Sequence, residues 1–201
     1  MSRDSEEISP RLYQALVLTF QLHGRAARKQ SAVPYLAHLL SVCALVQQDG
    51  GDEDEAIAAL LHDALEDKPQ EINRQEIHSL FGAKVLALIE IATDTPPDYQ
   101  GGNKPPWRQR KENYLERIRH TPPAMLRVTI ADKIDNARAI LADYRQLGDR
   151  LWNRFNAGKS DQLWYYRSAL AAFEAAGASG PLLDELSRLV DLLLDEVRGA
   201  T

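Results

Sequence analysis

The sequence of 201 residues contains a single cysteine and lacks any long uninterrupted apolar run. Cys43 therefore has no partner for an internal disulfide, which is typical of proteins in a reducing compartment. The N-terminal segment is acidic and lacks the apolar core of a secretory signal, and no stretch approaches the roughly 20 apolar residues that span a bilayer. The sequence therefore predicts a cytoplasmic protein that has no membrane partner.

A surplus of positive charge is also missing. The chain has 24 Lys and Arg against 29 Asp and Glu, which gives a formal net charge of −5. A chain of this charge repels the backbone of a nucleic acid, so a polynucleotide is not an expected partner. Any smaller anionic ligand must then be held by local basic groups or by a metal.

Sustained strand-like alternation is absent as well. Apolar residues recur at steps of three and four, which predicts an all-α fold. The predicted helices span residues 10–28, 35–49, 52–68, 73–80, 81–94, 108–120, 123–147, 151–176 and 181–197. A chain of this length fits one domain, which buries roughly 70% of its unfolded surface and needs no metal for stability. A metal site in this chain would therefore serve its function.

The motif HDALED concentrates polar chemistry in the third predicted helix. Spacings of three and four residues place one imidazole and three carboxylates on the same side of that helix, namely His62, Asp63, Glu66 and Asp67. Carboxylates this close repel one another unless a cation or a bound ligand compensates their charge. For this motif alone, the alternative is a solvated acidic helix face.

Two further residues make a metal site the stronger interpretation. His38 lies one helix upstream on a face shared with apolar residues, and Asp132 lies inside the apolar stretch VTIADKIDNARAIL. Each alone is ambiguous, since a lone His on such a face is more often a hydrogen-bonded core residue and the Asp a cap or ion-pair member. With His62 and Asp63 they form a mixed set suited to Mn²⁺, Fe²⁺ or Zn²⁺ with coordination positions left open for catalysis.

Four blocks in order carry a family resemblance. They are HGRAARKQSAVPYLAH at 23–38, HDALED at 62–67, FGAKV at 81–85 and IADKIDNAR at 130–138. The order H…HD…D resembles the HD superfamily of phosphohydrolases, and the blocks together resemble its RelA/SpoT-type hydrolase domain over residues 11–175. The chain is similar to the stand-alone small alarmone hydrolases of that group.

The resemblance implies a compact HD-type bundle forming one domain over residues 1–201, with an extra C-terminal helix at 181–197. It also implies an activity, the removal of pyrophosphate from the 3′ position of ppGpp and pppGpp, usually with Mn²⁺. By position, the metal ligands are His38, His62, Asp63 and Asp132, and the residues that position or deprotonate the attacking water are Glu66 and Asp67. The substrate residues are Arg28 and Lys29 against the purine, Asn136 at the ribose, and Lys133 at a phosphate or a carboxylate.

Departures from the family pattern leave the substrate open. Lys68 and Pro69 replace the Thr that often follows the Glu-Asp pair, Ala32 and Val33 replace Gly-x before Pro-Tyr, and Asp135 stands where relatives often carry His or Tyr. These positions border the expected nucleotide pocket, so ppApp, another 3′-phosphorylated nucleotide or NADPH remain alternatives. Two other functions stay open, a general nucleotide phosphohydrolase such as a 5′-nucleotidase or NADPH 2′-phosphatase, and a non-catalytic nucleotide-sensing module.

Two segments outside the motifs also carry expectations. The loop at 95–107 is rich in Pro and Gly, and it either closes over the nucleotide, with Lys104 and Trp107 as contacts, or is a surface excursion. In the last predicted helix, Leu186 and Leu193 belong to an apolar face. That face either packs on the core, which is favoured, or forms the seam of a homodimer.

Overall fold

The computed structural model describes residues 9–28 and 32–199, and the regular elements of this part of the chain are all helices, with one isolated β-bridge between Ala27 and Pro34 and no strand. Its α-helices are α1 (Pro10–His23), α2 (Tyr35–Gln48), α3 (Glu53–Leu61), α4 (Ala64–Asp67), α5 (Arg74–Phe81), α6 (Ala83–Ala92), α7 (Trp107–Arg119), α8 (Arg127–Leu147), α9 (Lys159–Ala175) and α10 (Pro181–Gly199). Short 3₁₀ helices cover Pro123–Met125 and Gly148–Arg154. The prediction of an all-α fold is confirmed.

Helix α3 lies at the centre of the bundle. Its residues from Ala56 to Leu61 are at most 1% exposed, and it packs against α1, α2, α6 and α8. A capping box begins the helix, because the Asp52 side chain accepts from the backbone N–H of Glu55 while the Glu55 side chain accepts from that of Asp52. Alanines alternating with Ile and Leu let the neighbouring helices approach on all sides. The end of α3 is therefore held firmly, and His62 follows it directly.

The predicted continuous helix over 52–68 is wrong at the motif itself. Helix α3 ends at Leu61, and a turn at His62 and Asp63 separates it from the single turn of α4. The imidazole Nδ1 of His62 lies 2.8 Å from the carbonyl oxygen of Ala59, and Asp63 turns toward α2. These tertiary contacts override the local helical pattern. Consequently, the spacing within HDALED does not by itself fix where the carboxylates lie.

Two other predicted helices also differ from the structure. Helix α1 ends at His23 and does not extend to Arg28, because the chain turns at Gly24 and Arg28 donates its backbone N–H to the oxygen of Val33 at 2.8 Å. The predicted helix over 151–176 is shorter, since residues 148–154 are 3₁₀ and α9 begins only at Lys159. The first difference brings Arg28 to Asp135 and Asn136 of α8, and the second places a 3₁₀ helix against α8.

Helix α10 packs its apolar face on the rest of the domain. Leu186, Val190 and Leu193 are at most 1% exposed, and the helix contacts α8 and α9. The expectation that this face packs on the core is confirmed. A homodimer stays a prediction, but its interface would have to use another surface. No helix within the described ranges is long and apolar enough to cross a membrane.

Candidate metal centre and adjoining cavity

Three helices bring the four predicted metal ligands together. His38 comes from the first turn of α2, His62 and Asp63 from the α3–α4 turn, and Asp132 from α8. The Nε2 atoms of His38 and His62 are 3.3 Å apart. Asp132 Oδ1 lies 3.3 Å from Nε2 of His38, and Asp63 Oδ2 lies 3.1 Å from Nε2 of His62. His38, His62 and Asp132 each offer an atom within 4.8 Å of the others. This buried group is consistent with a divalent metal site.

The charges of the group favour a cation. Burial lowers the pKa of His38, but its hydrogen bonds to Asp132, Asp135 and Asp63 outweigh burial and raise that pKa to about 9. The pKa of His62 is raised well above its usual value, because Asp63 and Asp132 again overcome burial. The carboxylates therefore favour positive charge at this group. A divalent cation can supply that charge, and its binding to imidazole releases the proton of the ligating nitrogen.

The outer nitrogen of each imidazole has a different partner. Nδ1 of His62 faces the Ala59 carbonyl oxygen, whereas Nδ1 of His38 lies 2.7 Å from Oδ2 of Asp135. Tyr35 donates its hydroxyl to Oδ2 of Asp63. Such partners hold metal-binding side chains in place and set the basicity of their donor atoms.

The carboxylates of Glu66 and Asp67 have different surroundings. Lys104, from the segment between α6 and α7, binds Oε1 of Glu66 at 2.8 Å, and Arg110 Nη1 lies 3.9 Å from that oxygen. Burial and the charge of Asp94 raise the pKa of Glu66. Asp67 lies at the open rim, where partial burial and the charges of Asp63 and Glu66 raise its pKa to about 7. One carboxylate is thus ion-paired, and the other is poised to exchange a proton near neutral pH.

The side chains of His38, His62, Asp63 and Asp132, called the metal group below, open into a larger cavity. A space of about 150 Å³ around His38, Asp63 and Asp132 shares wall residues with a neighbouring cavity of about 510 Å³. The residues that line both spaces are Tyr35, Lys111, Lys133, Asn136 and Tyr165. Two lysines and two tyrosine rings therefore lie on the wall that the two spaces share, in a protein whose net charge is negative.

The predicted substrate residues lie at this cavity, although their contacts are mainly with protein. Arg28 Nη2 lies 2.5 Å from Oδ2 of Asp135. Lys133 pairs with Asp132, and Asn136 donates to Asp132 Oδ1 at 2.5 Å. The predicted residue Lys29 lies outside the described residues.

Of the five residues that line both spaces, three were not predicted from the sequence to be site residues. Tyr35 precedes His38 by three residues on α2, a spacing that could have indicated it. Lys111 is the last residue of the basic segment at 108–111, at the start of α7, and pairs with Asp94 at 2.6 Å. Tyr165 has no local signal, because α9 reaches the site only through the fold. Its buried hydroxyl lacks a hydrogen-bond partner among the residues described.

The loop at 95–107 lies partly against the domain. Gln70 donates its side-chain amide to the carbonyl oxygen of Gln100, and Lys104 reaches Glu66. A purely detached surface excursion does not fit these two contacts. Closure of the loop over a nucleotide stays a prediction.

Comparisons with known proteins agree with the geometry. The model of the HD domain family matches residues 15–162. The guanosine-3′,5′-bis(diphosphate) 3′-pyrophosphohydrolase MESH1 of Mus musculus is 32% identical over 130 residues, which are 63% of this chain and 68% of the mouse protein. The bifunctional (p)ppGpp synthase/hydrolase SpoT of Escherichia coli K12 is 29% identical over 141 residues, which are 67% of this chain and 19% of SpoT.

A solved structure shows the same fold over most of the chain. It is described as a metazoan ortholog of SpoT that hydrolyzes ppGpp, and it superposes with a TM-score of 0.73 at 20% identity. The match covers 92% of this chain and 97% of the other. With the family match over most of the helices and the convergence of His38, His62 and Asp132, the chain belongs to the HD domain family and is related to the (p)ppGpp 3′-pyrophosphohydrolases.

Proposed function

We propose that the chain is a metal-dependent hydrolase that removes the 3′-pyrophosphate of purine alarmones, ppGpp and pppGpp or ppApp, and releases pyrophosphate. The observation that carries the proposal is the metal group opening directly into a cavity with lysines on its wall, beside the carboxylates of Glu66 and Asp67. A substrate with a charged pyrophosphate complements these lysines.

The side chains fit a divalent metal. Two imidazole nitrogens and two carboxylate oxygens form a donor set suited to a divalent transition metal, and we propose Mn²⁺ held by His38, His62, Asp63 and Asp132. A cation held there supplies Lewis acidity, which polarises a phosphoryl oxygen and lowers the pKa of water from ~15.7 towards ~7. Tyr35, Asn136 and Lys133 orient or pair with the carboxylates of this set.

The two carboxylates of the α4 turn have different roles toward the attacking water. Asp67, whose pKa lies near neutrality, takes a proton from the attacking water. Glu66, held by Lys104, positions that water without needing to change its charge. The water oxygen bonds to the phosphorus attached to the 3′ oxygen. The bond between that phosphorus and the 3′ oxygen then breaks, and the 3′ oxygen takes up a proton. Pyrophosphate and the nucleoside 5′-diphosphate are the products when ppGpp or ppApp is the substrate.

The larger cavity accommodates the rest of the nucleotide. Lys111 and Lys133 offer positive charge to the phosphates, since both line the passage to the metal group. Arg28, together with Lys29, is proposed to pack against the purine, because a guanidinium plane stacks on a base. Asn136 is proposed to face the ribose. The purine itself is open between guanine and adenine.

A product assay tests this proposal. The purified chain is incubated with Mn²⁺ and, in parallel, with ppGpp, ppApp, NADPH and a nucleoside 5′-monophosphate, and the products are separated by ion exchange. We expect pyrophosphate and a nucleoside 5′-diphosphate from at least one of ppGpp and ppApp. Orthophosphate alone, or turnover only of the monophosphate or NADPH, would identify a general nucleotide phosphohydrolase. Binding of nucleotides without any turnover would indicate the sensing module.

A further inference from the structure

Asp135, His38 and Arg28 form a tight triangle behind the metal group. Oδ2 of Asp135 lies 2.7 Å from Nδ1 of His38 and 2.5 Å from Nη2 of Arg28. Nη2 of Arg28 in turn lies 2.8 Å from Nδ1 of His38. One carboxylate oxygen therefore faces both an imidazole nitrogen and a guanidinium, and the guanidinium can also reach that imidazole nitrogen.

The triangle allows two hydrogen-bond arrangements with opposite consequences for a metal. Arginine only donates, so if it bonds Nδ1 of His38 that nitrogen must be unprotonated, and the proton of a neutral ring then sits on Nε2. Nε2 faces Asp132 and His62, so a ring in this tautomer presents an N–H to the site and cannot bind a metal. If Nδ1 carries the proton and donates it to Asp135, the Nε2 lone pair faces the site.

His62 has no such competition. Its Nδ1 lies 2.8 Å from the carbonyl oxygen of Ala59, which can only accept, so the backbone alone selects the tautomer with Nε2 free. At His38 the tautomer depends on a side chain, that of Asp135. Asp135 accepts from Nδ1 and at the same time binds the guanidinium that would otherwise donate to it.

We propose that Asp135 is a positioning residue that holds His38 in its metal-binding tautomer against competition from Arg28. The inference rests on the proposed metal site. An outer carboxylate also makes the ligating nitrogen a better donor, and loss of such a partner typically lowers metal affinity about 10–100-fold. Asp135 thus acts through His38 and does not touch the reacting atoms.

The test measures Mn²⁺ affinity of the purified full chain without substrate, by following free Mn²⁺ in titrations by electron paramagnetic resonance. Asp135→Asn should bind Mn²⁺ about 10–100-fold more weakly than the wild type. The matched control is Asp143→Asn, since Asp143 is also an ion-paired aspartate of α8 but pairs with Arg154 and not with a predicted metal ligand. That control should bind within about twofold of the wild type.

Two further variants distinguish an effect on the His38 tautomer from a general disturbance of the site. Arg28→Met alone should bind Mn²⁺ no more weakly than the wild type, because Asp135 then serves His38 alone. Asp135→Asn combined with Arg28→Met should recover part of the affinity lost in Asp135→Asn. Equal binding by Asp135→Asn and the wild type, or a double variant no tighter than Asp135→Asn, overturns the proposal while leaving the proposed function intact. Absence of Mn²⁺ binding by the wild type overturns both.

A measurement on the unmodified protein covers the case in which Asp135→Asn does not fold. In the Zn²⁺-loaded wild type, nuclear magnetic resonance should show an Nδ1–H proton for each of His38 and His62. The His38 proton should lie further downfield, since it is shared with a carboxylate and not with a backbone carbonyl. The reverse order overturns the proposal.

Discussion

Helix α3 joins two ionic clusters that differ in how their charges are balanced. At its first turn, Glu55 is bound by Arg127, with Nη1 at 2.6 and 2.7 Å from the two carboxylate oxygens, and Arg127 also binds Asp49 at 2.9 Å. Beyond its last turn, His62 lies beside the carboxylates of Asp63 and Asp132, which outweigh burial and raise its pKa. A cluster completed by its own side chains supports the fold. One that is short of positive charge is suited to bind a cation.

The largest expected effect comes from removing a ligand at the second cluster. His62→Ala should abolish stoichiometric metal binding and, with it, hydrolysis, since the remaining donors lose the imidazole that lies within reach of both His38 and Asp63. Elemental analysis of the purified variant measures the metal directly. His78→Ala, on the exposed side of α5, is the control and should retain metal. A metal-loaded His62→Ala would contradict the assignment of the site.

Changing the carboxylates beside that cluster should separate binding from turnover. Glu66→Gln and Asp67→Asn should keep the metal but lower turnover by about 10²–10⁴-fold, the usual contribution of a general acid or base. Single-turnover rates with ppGpp or ppApp, together with metal analysis of each variant, test this. Glu71→Gln is the matched control, because Glu71 pairs with Lys68 on the surface. Wild-type rates in both single variants would refute the roles given to Glu66 and Asp67.

The first cluster should show the opposite behaviour, a loss of stability without loss of metal. Arg127→Met leaves the buried carboxylate of Glu55 uncompensated, which should cost about 3 kcal/mol, the lower end for breaking a buried pair because Arg127 is 30% exposed. Urea unfolding gives the free energy, and elemental analysis gives the metal content. Adding Glu55→Met should restore part of the loss. Metal loss in Arg127→Met under native conditions would show that the two clusters are not independent.

The smallest expected effect concerns pH and the metal-free protein. Asp67 has a folded pKa of about 7 against ~3.9 unfolded, so its contribution to stability is fully present below pH ~4 and is lost as the pH rises to about 7. Asp67→Asn removes this penalty. The variant should therefore be more stable than the wild type at pH 8 by no more than about 1 kcal/mol, since solvent at the rim screens the charges. Thermal melts at pH 4 and pH 8 should show the difference only at pH 8.

The sequence allowed the all-α fold and the convergence of the metal group to be predicted. His38, His62 and Asp132 were identifiable because polar residues in apolar helical stretches need a common partner, and the structure brings them together. The turn at His62 and Asp63 could not be predicted, since the local pattern there is as helical as in the rest of α3. It depends on contacts with Ala59 and Tyr35 that exist only in the folded chain.

The cavity was less accessible to prediction than the metal group. Arg28 was expected against a purine, but its closest partner is Asp135, which lies more than a hundred residues later in the sequence. Lys111 of α7 and Lys133 of α8 both lie over the ring of Tyr165 from α9, and no periodicity within one helix indicates that meeting. Side-chain pairs between distant helices are set by packing geometry.

The position of Asp132 in the second turn of α8 has a consequence for folding. Its two imidazole partners come from α2 and from the end of α3, so the ligand set exists only after α8 has packed against two helices that lie far earlier in the sequence. Bound metal would therefore stabilise the whole bundle and not a local segment. At a free concentration 100 times the dissociation constant, the gain is about 2.7 kcal/mol. Partly folded chains, in which α8 has not yet docked, would bind the ion poorly, so occupancy of the site would mark a completed fold.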